Sequence, residues 1–541
     1  MRCRARDRLG DQNDQNDQEE GRILMTVSAP AAAVPRAGRR EWAGLAVLGL
    51  PTLLLSLDLS VLHLAAPHLS ADLGPSTSQL LWILDIYGFM IAGFLVTMGT
   101  LGDRIGRRRL LLMGATAFGA ASLLAAYATT PAMLIAARAV LGVAGATLMP
   151  STLALIRNMF QDRRQRATAV GVWMTCFLAG SALGPVLGGV LLEWFWWGSV
   201  FLAGVPVMVI LLVSAPLLLP EYRDPEPGRL DLFSVLLSMG AMMPVIYGLK
   251  KLAEEGLQAG HLLAVAAGLL VGLIFLRRQR RLAAPLLDLA LFRNPVFGGI
   301  LAFTLLTVFA SGGMLMFLVQ YLQMVEDKSP LEAGTWMLPA TAVMIAATLL
   351  VPALARRTAP VRLVAGGMAV AALGYLVATR TGGDHAAVIV VTGLAFAYLG
   401  AAPMMVLGTD MILSSAPPEK AGSASSLSET SGELGMAMGI AVLGSVGTAV
   451  YRSEIGNGLP DGVPADSADA AADSLPHALS VAEQLPDGLG TAVSEAARAA
   501  FTSGVTTVGW VSAGLMAALS LTAWVLLRRL GAETEARTED A

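Results

Sequence analysis

Cysteine, histidine and charged residues are scarce in this chain. Its 541 residues include two cysteines and five histidines, and only 14% are charged. Cys3 lies in a polar tail and Cys176 in an apolar run, so they provide neither a disulfide framework nor a metal cluster. An HExxH motif, a Walker loop and a paired His/Cys site are also absent, which argues against an enzyme and excludes a self-contained ATP-driven pump. We therefore expect no metal ion and no cofactor.

The N-terminus lacks an apolar segment. The first 24 residues are polar and repetitive, so we expect neither a signal peptide nor a folded element there, and Met25 is an alternative start. Arg36, Arg39 and Arg40 precede the first apolar run and favour a cytoplasmic N-terminus. Residues 1–41 are therefore predicted to form a disordered cytoplasmic tail.

Long apolar runs dominate the rest of the sequence. Hydrophobic residues make up 55% of the chain and the mean hydropathy is +0.64, values that indicate a polytopic membrane protein. The runs predict an all-α protein with about fourteen transmembrane helices. The predicted spans lie near 42–67, 79–101, 110–128, 131–157, 166–192, 198–219, 231–250, 260–277, 295–322, 331–354, 361–380, 385–412, 421–448 and 504–528.

The distribution of arginine predicts the topology. Arginines are concentrated in alternate loops, whereas the other loops hold few, and the loops at 68–78, 129–130 and 193–197 contain no Arg or Lys. This alternation is what an even number of spans with both termini in the cytoplasm requires. The basic loops hold Arg104, Arg107, Arg108 and Arg109, then Arg157, Arg163, Arg164 and Arg166, then Arg277, Arg278, Arg280 and Arg281, then Arg356, Arg357 and Arg362.

The spans are predicted to form two similar halves. The basic turn at 102–110 has a weaker counterpart at 354–363, each between the second and third spans of a six-span block. The acidic outside loop at 449–503 has two interpretations. It is either a vestibule that concentrates cations or an ordinary solvated loop. The predicted units are a six-helix bundle at 42–219, two additional helices with linkers at 220–294, a second six-helix bundle with that loop at 295–530, and a cytoplasmic tail at 531–541.

Acids lie inside several of these spans. Placing an ionised Asp58 inside a membrane helix would cost about 3 kcal/mol of free energy on insertion scales. The residue therefore requires a partner, a proton or a water-filled cavity. It either faces a transport pathway or only bonds a neighbouring helix. Asp85 lies near the outer end of the second span. Glu429 and Glu433 are four residues apart on one helix face, where like-charge repulsion favours holding a proton near neutral pH.

Two glycine-rich stretches stand out. In GTLGDRIGRRRL at 99–110, glycines permit close helix approach and a tight turn, and Asp103 can cap a helix N-terminus. The arginines of this stretch also serve as topology signals. In GSALGPVLGG at 180–189, Gly180, Gly184 and Gly188 share one helix face, and Pro185 is expected to bend the span.

These stretches resemble the major facilitator superfamily. The first is similar to its signature GxLaDrxGrkxxl, and the second matches the gxxxGPxxGG motif of its antiporters, which favours export. LDLSVLHLAAP at 57–67 is similar to an element of the fourteen-span drug:proton antiporters, and WILDIY at 82–87 is similar to the QacA- and SmvA-like branch. The resemblance covers 42–528 and implies two six-helix bundles plus two additional helices.

The resemblance also implies roles for individual residues. Arg138, in a run similar to the family's RxxqGxgaA motif, would take part in proton transfer. The loop at 99–110 would latch the halves in the outward-open state against the start of the span at 421. The implied latch residues are Gly99, Gly102, Asp103, Arg104, Gly106, Arg107 and Arg108. The antiporter motif comprises Gly180, Gly184, Pro185, Gly188 and Gly189.

The acid pattern departs from that of the QacA-like proteins. Ser428 replaces the first of two adjacent glutamates, Glu433 replaces an aspartate, and Met344 replaces an acid of the tenth span, which weakens the case for divalent cations. The span at 295–322 has a Met- and aromatic-rich face that suits hydrophobic cations, although ordinary membrane packing explains it equally well. The pocket candidates are Phe309, Met316, Gln320 and Tyr321.

The leading hypothesis is a proton-coupled antiporter of a bacterial cytoplasmic membrane. It would act as a monomer driven by the proton motive force, export lipophilic or quaternary ammonium cations, and bind no nucleic acid. Protons and cations would compete for carboxylates, and the predicted coupling and substrate residues are Asp58, Asp85, Arg138, Glu429 and Glu433. An alternative is export of an endogenous metabolite such as an antibiotic or peptide. A passive channel would explain the hydropathy but not the latch and antiporter motifs.

Overall fold

The structure is a computed structural model that describes residues 36–75, 77–223, 231–255, 258–282, 285–381, 385–417, 420–460 and 462–539. Within these ranges, 13 helices are long and apolar enough to cross a membrane, and Phe233–Leu249 is a shorter apolar helix. The predicted all-α polytopic class is therefore confirmed. Most of the predicted tail at 1–41 lies outside the described residues.

The first half contains six membrane helices, followed by two additional ones. In the first half, α6 has a one-residue break at Ala203. The bounds are α1 Arg39–Leu73, α2 Thr77–Ile105, α3 Arg107–Ala126, α4 Pro131–Met159, α5 Arg163–Trp194 and α6 Ser199–Leu218. The additional helices are α7 Leu232–Glu255 and α8 Ala259–Gln279.

The second half repeats the six-helix plan with one long connection. Its first four helices are α9 Pro295–Val325, α10 Pro330–Leu354, α11 Pro360–Ala378 and α12 Ala386–Ser415, and π-helical turns occur in α9 and α12. They are followed by α13 Ala421–Gly458, the short helices α14 Ala465–Asp473 and α15 Leu475–Ala482, and α16 Asp487–Glu539. The predicted loop at 449–503 is thus largely helical, because α13 and α16 both extend into it.

Local signals in the sequence account for several helix starts. The Thr130 hydroxyl accepts a hydrogen bond from the Met133 amide, and the Asp162 carboxylate accepts one from the Gln165 amide. A capping box, in which Ser329 and Glu332 each bond the other's backbone amide, begins α10. Between α2 and α3, Gly106 adopts a φ of 112°, a conformation that glycine accommodates without strain. These caps satisfy amide groups that the helices leave unpaired.

Each half has its own apolar core, and the halves meet along two seams. The cores are separate clusters within 45–219 and 310–519, apart from Leu413, which joins the first. At the first seam, a Cβ on Gly99 of α2 would lie 2.8 Å from the Gly422 carbonyl oxygen of α13. At the second, a Cβ on Gly171 of α5 would lie 2.8 Å from the Thr348 carbonyl oxygen of α10. These contacts require residues without side chains, because any Cβ would overlap the facing backbone.

The two additional helices pack against the first seam. They lie against each other, and α7 also contacts α2 and α13. The side chain of Gln279 donates to Ser234 on α7 and accepts from the amides of Leu286 and Leu287 in the following linker. The Thr100 hydroxyl of α2 donates to the Leu286 carbonyl oxygen at 2.7 Å. These buried bonds tie the helix pair to the first half.

Candidate transport site

Asp58 and Arg138 form an ion pair inside the first half. Arg138 Nη1 lies 2.6 Å from Asp58 Oδ2, and the side chains are 1% and 11% exposed, respectively. Arg138 Nε also donates to the Ile83 carbonyl oxygen at 3.2 Å. A guanidinium keeps its charge at any relevant pH, so the carboxylate of Asp58 compensates a permanent buried charge. The acid and the arginine predicted separately from the sequence are therefore partners.

Tyr87 borders this ion pair. The guanidinium carbon of Arg138 lies 4.6 Å from the centre of the Tyr87 ring, a cation–π contact. The Tyr87 side chain is fully buried and its hydroxyl has no hydrogen-bond partner among the described residues. Asp58, Arg138 and Glu433 all act electrostatically on this hydroxyl. Electrostatic effects from both halves therefore act on Tyr87.

The face of α13 directed towards the first half carries both predicted glutamates. At about 100° per residue, Glu429 and Glu433 lie within about 20° of Gly422, which packs on Arg107. Glu433 is exposed, Glu429 is half-buried, and the two interact electrostatically. The opposite face of α13 packs inside the second half, where Gly435 approaches the Leu305 carbonyl oxygen. The glutamates therefore lie at the boundary between the halves.

Asp85 lies on a different face from the ion pair. Ile83 and Tyr87, two residues away on either side, face Arg138, so Asp85 points about 180° from that direction. Gly93 and Ala92, which lie roughly on the Asp85 side of α2, pack near Met243 and Ile246 of α7. The structure therefore does not bring Asp85 together with Asp58.

The predicted latch loop meets the start of α13. Both carboxylate oxygens of Asp103 accept backbone bonds, from Gly422 N at 3.2 Å and Ser423 N at 3.0 Å, and the Ser423 hydroxyl donates at 3.1 Å. Arg107 is buried and forms an ion pair with Asp103. A carboxylate at a helix N-terminus is stabilised by the unpaired amides and the helix dipole. We call this end of the bundle the latch end.

The remaining latch residues have supporting positions. A Cβ on Gly106 would lie 2.6 Å from Glu221 Oε1, and Gly102 packs on the Arg107 guanidinium. Arg108 donates to the Leu219 carbonyl oxygen at 3.0 Å and lies 3.6 Å from Glu221. Arg104 is half-buried. The loop is thus tied both to α13 and to the end of α6.

A second polar contact between the halves occurs at the same end. Arg166 at the start of α5 lies 2.6 Å from Asp410 on α12, and both side chains are buried. Arg157 Nε donates to the Leu413 carbonyl oxygen at 2.9 Å. Arg166 and Asp410 are 244 positions apart, so the sequence alone does not indicate this contact. These contacts hold α4 and α5 against the end of α12.

The antiporter motif packs against α1. A Cβ on Gly180 would overlap the Leu53 backbone, and a Cβ on Gly188 would lie 3.2 Å from the Val61 side chain. Gly184 is buried, whereas Gly189 is exposed and has no atom near its Cβ position. Pro185 lies in a continuous helical segment, although its side chain is outside the described set. The glycines allow α5 to lie close to the helix that carries Asp58.

The pocket candidates divide between two faces of α9. Phe309, Met316 and Gln320 are half-buried and lie within about 40° of one another around the helix. Tyr321 does not share this face, because it is buried in the core of the second half and its hydroxyl donates to Glu326 at 3.3 Å. Phe317 packs against Phe501 in the same core, with ring centroids 5.5 Å apart and the rings tilted by 35°. Packing accounts for the positions of Tyr321 and Phe317.

Comparisons with known proteins agree with this architecture. Residues 48–440 match the model of the Major Facilitator Superfamily. The chain is 42% identical to the multidrug efflux pump LfrA of Mycolicibacterium smegmatis, over 94% of this chain and 100% of LfrA. It is 36% identical to the methyl viologen resistance protein SmvA of Salmonella typhimurium, over 85% of this chain and 93% of SmvA.

Solved structures show the same fold. The crystal structure of the human organic anion transporter MFSD10 aligns with a TM-score of 0.58 at 16% identity, over 88% of this chain and 99% of that chain. At that identity the likeness concerns the fold alone. The predictions of a major facilitator fold and of a transporter rather than an enzyme are confirmed. The chain is a multi-pass membrane protein that belongs to the major facilitator superfamily.

Proposed function

We propose that the protein is a proton-coupled antiporter that exports lipophilic or quaternary ammonium cations across a bacterial cytoplasmic membrane. The observation that carries the proposal is the Asp58–Arg138 ion pair inside the first half, which packs against the buried ring of Tyr87. The names of LfrA and SmvA, a multidrug efflux pump and a methyl viologen resistance protein, support this substrate class.

The arginine distribution supports a cytoplasmic latch end. The α2–α3, α4–α5 and α10–α11 turns carry the basic residues, and such loops remain on the cytoplasmic side. Asp103 and Asp410 both bind the opposite half at this end. The conformation is then closed to the cytoplasm, and opening it requires both contacts to separate.

Exchange follows from competition for negative charge. Glu433 is exposed at the boundary and is repelled by Glu429, so either a proton or a cation lowers the local electrostatic energy. A carboxyl group that holds a proton no longer attracts a cation. Protonation of Asp58 removes the counter-ion of Arg138, so the proton content of this pair also alters the charge facing the substrate. The proton motive force would drive this exchange without a further cofactor.

Vesicle transport tests the proposal. Inside-out membrane vesicles from producing cells should accumulate ethidium when their lumen is made acidic, and should release it when the pH gradient is collapsed. Vesicles from cells carrying the empty vector provide the control. Ethidium uptake that is indifferent to the pH gradient would contradict proton coupling, and absence of protein-dependent uptake would contradict the substrate class.

A further inference from the structure

The latch end contains a cavity that the transport site does not use. Its volume is about 280 Å³, and it lies between the start of α1 and the ends of α4 and α6, all in the first half. Its lining combines polar side chains with apolar ones, namely Arg36, Arg40, Asn158 and Gln161 with Met159 and Leu218. A ligand that joins an anionic group to a hydrocarbon part matches this combination.

The two arginines give the cavity its charge. Neither guanidinium forms an ion pair with a carboxylate of the described residues, and Arg40 Nη2 donates to the Leu217 carbonyl oxygen at 3.0 Å. Glu41 also lines the cavity, but its carboxylate accepts a hydrogen bond from the Gly38 amide at 2.7 Å and so caps the start of its own helix. The remaining guanidinium donors suit the oxygens of a phosphate group.

A buried amide in the cavity wall also lacks an acceptor. The Asn158 side chain lines the cavity, and its Nδ2 atom is buried with no hydrogen-bond partner among the described residues. The nearby amide side chain of Gln165 does have one, because it accepts from the Ala37 backbone amide at 2.8 Å. A buried donor without an acceptor is unfavourable, and an oxygen held in the cavity would satisfy it.

The cavity lies where the membrane helices reach the surface. The apolar spans of α1 and α6 begin and end beside it. Leu217, whose carbonyl oxygen binds Arg40, has a 70% exposed side chain, which faces lipid when the helix crosses a membrane. Trp42 packs edge-on against Phe160, with ring centroids 5.1 Å apart, and tryptophan prefers the headgroup region. Lipid headgroups and the first part of their acyl chains therefore reach this position.

We propose that this cavity binds the headgroup phosphate of an anionic phospholipid. The arginines and the Asn158 amide would donate to the phosphate oxygens, and Met159 and Leu218 would contact the start of an acyl chain. Basic cavities between membrane helices bind anionic headgroups in this way. The lining comes from one half only, so the site goes beyond the proposed transport function and does not depend on which cation is exported.

Native mass spectrometry of the full-length protein in detergent tests the proposal. The protein is titrated with phosphatidylglycerol, which is anionic, and with phosphatidylcholine, which is zwitterionic. The wild-type protein should retain one phosphatidylglycerol more tightly than any phosphatidylcholine. The Arg36→Gln/Arg40→Gln variant should bind that lipid about thirtyfold more weakly, because it loses two basic residues at an anionic headgroup. Unchanged affinity in this variant would overturn the proposal.

The Arg356→Gln/Arg357→Gln variant is the matched control. It removes the same charge from exposed positions in the turn between α10 and α11, at the same end of the protein but outside the cavity. It should keep the wild-type affinity for phosphatidylglycerol. An equal loss in both double variants would overturn the site, because the attraction would then come from the basic surface as a whole.

Asn158→Asp tests the cavity without removing an arginine, so the basic residues that direct insertion remain. The new carboxylate has nearly the same shape as the amide and would compete with phosphate for the two guanidiniums. Phosphatidylglycerol should bind at least tenfold more weakly, and unchanged binding would overturn the assignment.

Inorganic phosphate distinguishes a lipid headgroup from a free anion. Added in millimolar excess, it should leave phosphatidylglycerol bound to the wild-type protein, because the acyl chain adds apolar contacts. Complete displacement of the lipid by inorganic phosphate would assign the cavity to a free ion and overturn the lipid proposal.

Discussion

Arg166 and Asp410 form a buried ion pair that joins the first half of the transporter to the second. Their Nε and Oδ1 atoms are 2.6 Å apart, and the side chains are 4% and 3% exposed. Asp103 binds the backbone of α13 at the same end of the bundle. The state closed at the latch end is therefore stabilised by a side-chain pair as well as by a carboxylate at a helix N-terminus.

Asp410→Asn should shift the conformational equilibrium towards the state open at the latch end. Removing one partner of a buried ion pair costs about 3–5 kcal/mol, because the other charge loses its compensation. Separation of the halves would give Arg166 access to water and relieve that cost. We expect a longer distance between spin labels placed at the latch end of each half, measured by double electron–electron resonance.

The Arg452–Asp473 pair offers the matched control. Its side chains are 55% and 60% exposed, so Asp473→Asn should leave the distance distribution unchanged. A distribution in Asp410→Asn that coincides with that of Asp473→Asn would contradict the role of the buried pair.

Asp58→Asn and Asp85→Asn should have different effects although both remove an acid from a membrane helix. Asp58→Asn leaves Arg138 without its counter-ion and should reduce pH-driven ethidium transport at least tenfold, whereas Asp85→Asn should retain proton coupling because Asp85 points away from the ion pair. Initial rates in proteoliposomes, normalised to the amount of inserted protein, provide the measurement. Equal loss of coupling in both variants would contradict this division.

The two aspartates illustrate what the sequence can and cannot predict. Hydropathy places Asp58 and Asp85 inside membrane helices, and the permanent charge of Arg138 requires either an acid or water nearby. The sequence does not predict which side of α2 faces the first half. Apolar residues surround Asp85 on every face of the helix, so no polar face indicates its orientation. Likewise, Arg166 and Asp410 are 244 positions apart, and only the packing of the two halves brings them together.

Gly422→Ala should weaken the latch. A Cβ at this position would overlap the buried Arg107 guanidinium, so either the arginine or the start of α13 must move. We expect faster modification of a cysteine placed on the latch-end side of the seam between α2 and α13. Gly432→Ala on the same helix has open space at its Cβ and should react like the wild-type protein. Equal reactivity in the two variants would contradict the packing role of Gly422.

The antiporter motif should tolerate alanine at one end only. Gly180→Ala would force α5 away from the Leu53 backbone of α1, and we expect a fall in melting temperature of several degrees. Gly189→Ala meets no neighbouring atom and should melt within about one degree of the wild-type protein. Thermal unfolding followed by tryptophan fluorescence in detergent compares the two. A lower melting temperature for Gly189→Ala than for Gly180→Ala would contradict this packing role.

The motif also shows the limit of reading function from a pattern. The glycine spacing predicts a smooth face on α5, and Gly180 and Gly188 do pack on α1. The pattern does not distinguish them from Gly189, which faces outward. Similarly, the Met- and aromatic-rich sequence of α9 predicts a single face, whereas helix geometry separates Met316 from the buried Tyr321.

A direct recording of proton movement tests whether the Asp58–Arg138 site couples proton transfer to transport. Proteoliposomes containing trapped pyranine, with no pre-set pH gradient, are exposed to ethidium. We expect a substrate-dependent pH change in the lumen for the wild-type protein and for Asp85→Asn, and none for Asp58→Asn. Ethidium movement by the wild-type protein with no accompanying pH change, or an undiminished pH change in Asp58→Asn, would contradict it.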